Sequence, residues 1–102
     1  MATYYIRETY INQADRELDW PREYEDSFDG SANDLLEKLL WYKCLDAEDD
    51  VRDGLSKDSL SQRCTTFEIY SDPERKNMLC NRTINHLDAY NQARLVRDSE
   101  DA

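Results

Sequence analysis

Two hydrophobic periodicities constrain the fold of this 102-residue chain more than any other feature. Residues 3–11, TYYIRETYI, alternate between two sides and are rich in β-forming residues, a pattern that predicts a strand. Residues 30–45 place their leucines at helical spacing. Ser31 and Asp34 at the start of this second segment match a capping box. We therefore predict a strand over 3–11 and a helix over about 32–47.

The second half of the chain contains a further strand at 64–71 and a turn at 72–75 with Pro73 in its second position. Residues 76–84 fit two structures. They can form a third strand that pairs back, with Met78, Cys80 and Ile84 pointing inward, or they can belong to one long helix that Pro73 opens. We favour the hairpin, followed by a helix over 85–97.

These elements predict the fold class and the domain organisation. The order β-α-β-β-α predicts an α+β fold, a small antiparallel sheet with helices packed on one face. The length predicts a single compact domain over 1–102, with a frayed tail at 98–102.

Residues 12–30 are predicted to form one long acidic and aromatic loop, with one helical turn before Trp20 that Pro21 ends. A loop of this length is unusual in a compact domain, and long ordered loops are often functional. Trp20 and Phe28 can either cover the core or face a partner, and the sequence leaves both open. Tyr24, between two glutamates, is expected to be exposed.

Net charge indicates what the chain binds. Residues 12–53 carry fourteen acidic and five basic side chains, which gives them −9 of the total charge of −10. Such a surface repels nucleic acids and anionic membranes, and it favours a basic protein partner.

Three cysteines, with no signal peptide and no apolar stretch of membrane-spanning length, indicate reduced thiols in a cytoplasm, which is the host cytoplasm if a phage encodes the protein.

Residues suited to catalysis are scarce, so we predict that the protein is not an enzyme. The only histidine, His86, falls at a predicted helix start and is expected to be a surface or capping residue. The cysteines lack the spacing of a zinc site. A calcium loop centred on Gly30 would place Leu36 where a clamping glutamate is needed. No metal and no cofactor are therefore expected.

An acidic surface with aromatic anchors remains as the candidate site, because charges steer a basic partner and aromatic residues supply contact energy. The candidate partner-binding residues are Asp19, Trp20, Glu23, Tyr24, Glu25, Asp26, Asp29, Glu48, Asp49 and Asp50.

In length, clustered acidity and lack of catalytic residues, the chain resembles the small acidic inhibitors that phages and other mobile elements make against host defences. These include anti-CRISPR and anti-restriction proteins that mimic DNA. The resemblance implies a non-enzymatic inhibitor that blocks a basic, nucleic-acid-binding host protein. The alternative is an acidic interaction module such as an immunity protein, an antitoxin or an adaptor. The sequence leaves the oligomeric state open.

Overall fold

A computed structural model describes residues 1–13, 17–18 and 21–100. The central strand of its antiparallel sheet is β1 (Ala2–Asn12), which confirms the strand predicted at the N-terminus. On one side β1 pairs with β4 (Arg63–Tyr70), and on the other it pairs with two successive segments, β2 (Glu17–Leu18) and β3 (Arg22–Phe28). The outer strand beyond β4 is β5 (Met78–Asn85).

The prediction of one loop over residues 12–30 is wrong, because β3 is a seven-residue strand within it. Its side chains alternate: Tyr24, Asp26 and Phe28 share the helix-facing side, where Tyr24 and Phe28 pack against the hydrophobic core. Glu23, Glu25 and Ser27 point to the opposite face. Tyr24 faces Ile6 across the strand pair. Charged residues at most of its positions hid this alternation from the sequence. The helical turn predicted before Trp20 is not found at Glu17–Leu18, which are strand β2, and residues 14–16 and 19–20 lie outside the described residues.

The β4–β5 hairpin is confirmed over the alternative of one long helix. Arg75 N–H donates to the Asp72 carbonyl at 3.1 Å, which closes the predicted turn around Pro73. Cys80 and Ile84 pack against the core as expected. Met78 does not, because the register between β4 and β5 shifts at the start of β5, and its side chain is 47% exposed.

Helix α1 (Ala32–Arg52) starts at the predicted capping box, with Ser31 accepting from Asp34 N–H. It continues past the predicted end near residue 47 to Arg52. A five-residue helix, α2 (Lys57–Ser61), precedes β4, and α3 (His86–Glu100) follows β5. Residues 98–100 are helical rather than frayed, and 101–102 lie outside the described residues.

The helices pack on one face of the sheet, which confirms the α+β fold class. Leucines of α1 meet the inward side chains of β1 and β4, including Ile6 and Phe67, to form the main core. A second cluster joins α1 to α3 through small side chains that allow close approach: Cys44, Ala47, Ala89 and Ala93. The other sheet face carries no helix within the described part of the chain, in keeping with a thickness of 17 Å.

Across residues 1–13, 17–18 and 21–100, none of the helices combines the length and the apolar character that a bilayer crossing requires.

Candidate protein-interaction groove along helix α1

Four aspartates form a stripe on the last two turns of α1, and we call them the aspartate stripe: Asp46, Asp49, Asp50 and Asp53. Their spacing of three, four and seven residues places them on one side of the helix. The structure brings this stripe together because α1 runs on to Arg52, with Asp53 as its C-cap.

The stripe is electrostatically unfavourable, because carboxylates at a helix C-terminus oppose the macrodipole. Compensation is partial: Lys43 lies 3.9 Å from Asp46, and Arg52 lies 3.2 Å from Asp49. Burial raises the pKa of Asp50, Arg63 opposes this shift, and the three other aspartates add to it. These charges therefore cost the folded chain free energy.

Three aspartates of the stripe, all but Asp53, line one wall of a cleft of about 340 Å³. The rest is lined by Tyr10, Lys43, Arg63 and His86. The cleft continues past Lys43 and Asp46 into a second cleft of about 180 Å³, which Arg22, Tyr24 and Tyr42 help to line. We call the two together the α1 groove. It combines tyrosine rings, carboxylates and cations along one side of the helix.

His86 sits in the floor of the groove and is half-buried, which corrects the expectation of a surface or capping residue. Its Nε2 lies 2.7 Å from Thr65 Oγ1, and its ring lies 5.7 Å from the Tyr10 ring. Asn85 caps α3 instead, through its Oδ1 to Leu87 N–H.

Burial lowers the pKa of His86 to about 4, and Lys43 and Arg63 reinforce the shift while Glu8 opposes it. The imidazole is therefore neutral at pH 7 and is too weak a base for efficient proton transfer there.

The shifted pKa of His86 makes a direct prediction. We expect the ring protons of this single histidine to titrate near pH 4 in an NMR experiment, rather than near 6.5. The folded pKa lies below the unfolded one, so neutral His86 contributes to the free energy of unfolding. This contribution is complete above about pH 6.5 and is lost as pH falls through 4. Wild type should therefore lose about 1–2 kcal/mol more than His86→Gln between pH 7 and pH 4, after allowance for partial exposure. An ordinary pKa would contradict this packing.

The predicted residues on β3 do not form one patch. Glu23 and Glu25 point to the bare sheet face, and Tyr24 and Asp26 point to the helix side. Glu23 is already engaged, with Arg7 at 3.5 Å and Arg75 at 3.1 Å.

Tyr24 was expected to be exposed, but it is half-buried. Its hydroxyl donates to Glu8 Oε1 at 3.3 Å. Burial, with the charge of Glu8, raises the Tyr24 pKa above its usual range.

The acidic run of β3 also has a folding role that its sequence does not reveal. Within the described residues β3 pairs only with β1, so its outer edge is free. Charged side chains on an edge strand prevent it from pairing with the edge of another molecule. Arg22, Glu23, Glu25 and Asp26 therefore protect this edge, whatever else they bind.

Other predicted residues take different places. Glu48 is buried between α1 and α3, where it pairs with Arg97, and so it lies away from the exposed surface. Asp49 and Asp50 belong to the aspartate stripe. Asp29 is exposed in the turn between β3 and α1. Asp19 and Trp20 lie outside the described residues. Phe28 is half-buried against the core, with Lys38 over its ring.

Several residues of the α1 groove and of the aspartate stripe were missed by reasoning from the sequence: Tyr10, Lys43, Asp46, Asp53, Arg63 and His86. The helical spacing of Asp46 and Asp53 with the two predicted aspartates was a usable signal, had the helix been extended past residue 47. The others come from four separate elements, and no local pattern joins them.

Comparisons with protein-family models, with curated proteins and with solved structures gave no significant match. The described residues also contain no group of three or more His, Cys, Asp or Glu side chains arranged to hold a metal ion. Function must therefore be argued from the groove itself.

Proposed function

We propose that this chain is a non-enzymatic inhibitor that binds a basic, nucleic-acid-binding protein and occupies its phosphate-binding surface. The main support is the spacing of the aspartate stripe. Without the buried Glu48, the four carboxylates of the stripe span about 10.5 Å of helix axis, or one charge per about 3.5 Å. One strand of B-DNA carries a phosphate about every 3.4 Å of its axis. The stripe thus matches the charge density of a single DNA strand.

The groove beside the stripe adds a means of specific contact. Tyr10, Tyr24 and Tyr42 contribute aromatic surface to it, and the Tyr42 side chain is 49% exposed. Tyrosine and buried charge pairs supply contact energy at interfaces, while exposed charges increase the association rate. The aspartates would steer a basic partner toward the groove, and the tyrosines would hold it.

The proposed setting is the cytoplasm, or a host cytoplasm for a phage-encoded protein. Cys44, Cys64 and Cys80 are free thiols, which suits a reducing compartment. The net charge of −10 favours a protein partner over direct contact with nucleic acid.

Neutralising the stripe should separate function from stability. In Asp46→Asn/Asp49→Asn/Asp53→Asn, removal of charges that oppose the helix dipole should raise the free energy of unfolding by about 0.5–1 kcal/mol, net of the lost pairs with Lys43 and Arg52. Urea denaturation at low salt measures this change. A loss of stability would contradict the electrostatic cost assigned to the stripe.

The same variant should bind the partner at least tenfold more weakly at 0.1 M salt. The matched control, Asp58→Asn/Glu74→Gln/Asp98→Asn, removes three carboxylates elsewhere and should keep most of the affinity. Equal losses in both variants would indicate that net charge, and not the stripe, drives binding.

Capture from a lysate with the wild-type protein, followed by mass spectrometry, supplies the partner. The captured protein should be released by duplex DNA or by RNA, because both would compete for one site, and its affinity should fall steeply with salt. Binding that is insensitive to salt overturns the proposal. Salt-sensitive binding that nucleic acid does not displace supports an acidic interaction module such as an immunity protein, an antitoxin or an adaptor.

A further inference from the structure

The two edges of the sheet are protected very differently. On one side β3 carries four charged residues along its seven positions. On the other side β5 (MLCNRTIN) has a single charged residue, Arg82, and five of its eight residues are exposed. Over the described ranges β5 pairs only with β4, so its outer main-chain groups face outward. A long edge strand with few charged residues is a template for pairing with another strand.

A groove lies beside this open edge, on the opposite side of α1 from the aspartate stripe. It measures about 410 Å³ and lies between β5, α1 and α3. Trp41 lines it and is 37% exposed, next to Leu40 and Ile84. Tryptophan in a partly open apolar groove is a frequent anchor for a bound side chain.

An open strand edge beside an apolar groove fits one mode of recognition. An extended peptide adds as a further strand, its main chain bonds to the edge, and alternate side chains enter the groove. The eight residues of β5 extend over about 26 Å, enough for a strand of ordinary length.

Charge indicates which peptide fits. The groove rim carries the exposed carboxylates Glu37 and Asp88, and its one cation, Arg82, already lies 3.2 Å from Glu37. The chain as a whole carries −10, so a second copy would be repelled. We infer that β5 and the Trp41 groove bind an extended segment of a partner protein that alternates basic and apolar residues. This surface lies apart from the aspartate stripe, and its binding does not depend on the proposed inhibitor function.

A synthetic ten-residue peptide of alternating lysine and valine is the probe. In ¹⁵N NMR spectra it should shift amides of β5 and slow their hydrogen exchange, without the same effect on β3. An alternating glutamate and valine peptide should bind at least tenfold more weakly. A lysine and valine peptide N-methylated at every amide should not protect β5, because the methyl groups remove the donors from both edges of its main chain and obstruct pairing.

Two variants on neighbouring residues test the groove. Trp41→Ala should weaken lysine–valine peptide binding at β5 at least fivefold, while Tyr42→Ala, which removes an exposed ring from the α1 groove, should leave it unchanged. Equal binding of the glutamate peptide, or shifts confined to the aspartate stripe, would overturn the inference. So would a stable dimer in light scattering with β5 protected before any peptide is added, because a second copy would then fill the edge. None of these results depends on the outcome of the stripe variants.

Discussion

Replacing Arg75 with alanine is expected to lower the free energy of unfolding by about 3 kcal/mol. Its guanidinium joins the β4–β5 turn to two strands: Nε donates to the Ile6 carbonyl at 3.3 Å and Nη2 to the Tyr24 carbonyl at 3.1 Å. Nε also lies 3.1 Å from a carboxylate oxygen of Glu23, and the side chain is only 15% exposed. Hydrogen bonds from a charged, largely buried donor contribute about 1.5–3 kcal/mol each, and this loss combines several of them.

Arg75 also has a backbone cost, because its φ is 56°, in the left-handed region. Glycine adopts this region without strain, and alanine does not. Arg75→Gly should therefore be about 0.5–1 kcal/mol less destabilising than Arg75→Ala. Arg75→Lys keeps the charge but lacks the planar fork that reaches two carbonyls, so it should still lose about 1–2 kcal/mol. Chemical denaturation of wild type and the three variants measures these differences in free energy of unfolding. Arg75→Lys equal to wild type would show that charge alone matters.

The second large effect is expected at Glu48, where Glu48→Gln should cost about 2 kcal/mol at pH 7. The Glu48 side chain is 7% exposed, and Arg97 Nε lies 2.7 and 2.6 Å from its two oxygens. Arg94 approaches the same carboxylate at 3.9 Å. Breaking a buried pair typically costs 3–5 kcal/mol. We expect less because Arg94 and Arg97 are 49% and 46% exposed and can turn toward water.

The dependence on pH distinguishes this pair from ordinary packing. The hydrogen bond from Arg97 lowers the pKa of Glu48, although burial opposes it. A carboxylate with a lowered folded pKa stabilises the protein above its unfolded value of about 4.3, and this contribution is lost as pH falls through the folded pKa. The difference in free energy of unfolding between wild type and Glu48→Gln should therefore be largest at pH 7 and become smaller in acid.

Glu37→Gln is the control for Glu48. It breaks a pair with Arg82 in which the side chains are 67% and 54% exposed, so it should change stability by less than about 0.5 kcal/mol. If the difference in free energy of unfolding between wild type and Glu48→Gln stays constant down to pH 3, then shape, and not charge, holds α1 to α3.

Local features of the sequence predicted a large part of the fold. The alternation of residues 3–11, the capping box at Ser31 and the turn around Pro73 all appear as expected. Each depends on residues a few positions apart, whose backbone preferences and hydrogen bonds are set by their own side chains. The hairpin and the final helix followed from the same kind of signal.

The candidate site was predicted less well, because acidic residues that are close in sequence were assumed to share one exposed surface. Glu48 and Asp49 are neighbours in sequence, yet one is buried against Arg97 and the other is 60% exposed on the stripe. Helical geometry turns adjacent residues by about 100°, so the packing of α1 on α3 decided which acid remained exposed.

The sequence by itself thus determined where most strands and helices begin and that their surface is acidic. Only the tertiary structure decided that residues 22–28 are an edge strand, and that Tyr10, Lys43, Arg63 and His86 meet in one groove. These outcomes depend on contacts between segments far apart in the chain. Such contacts form where strand register and burial bring residues together, and neither is encoded in any short stretch of sequence.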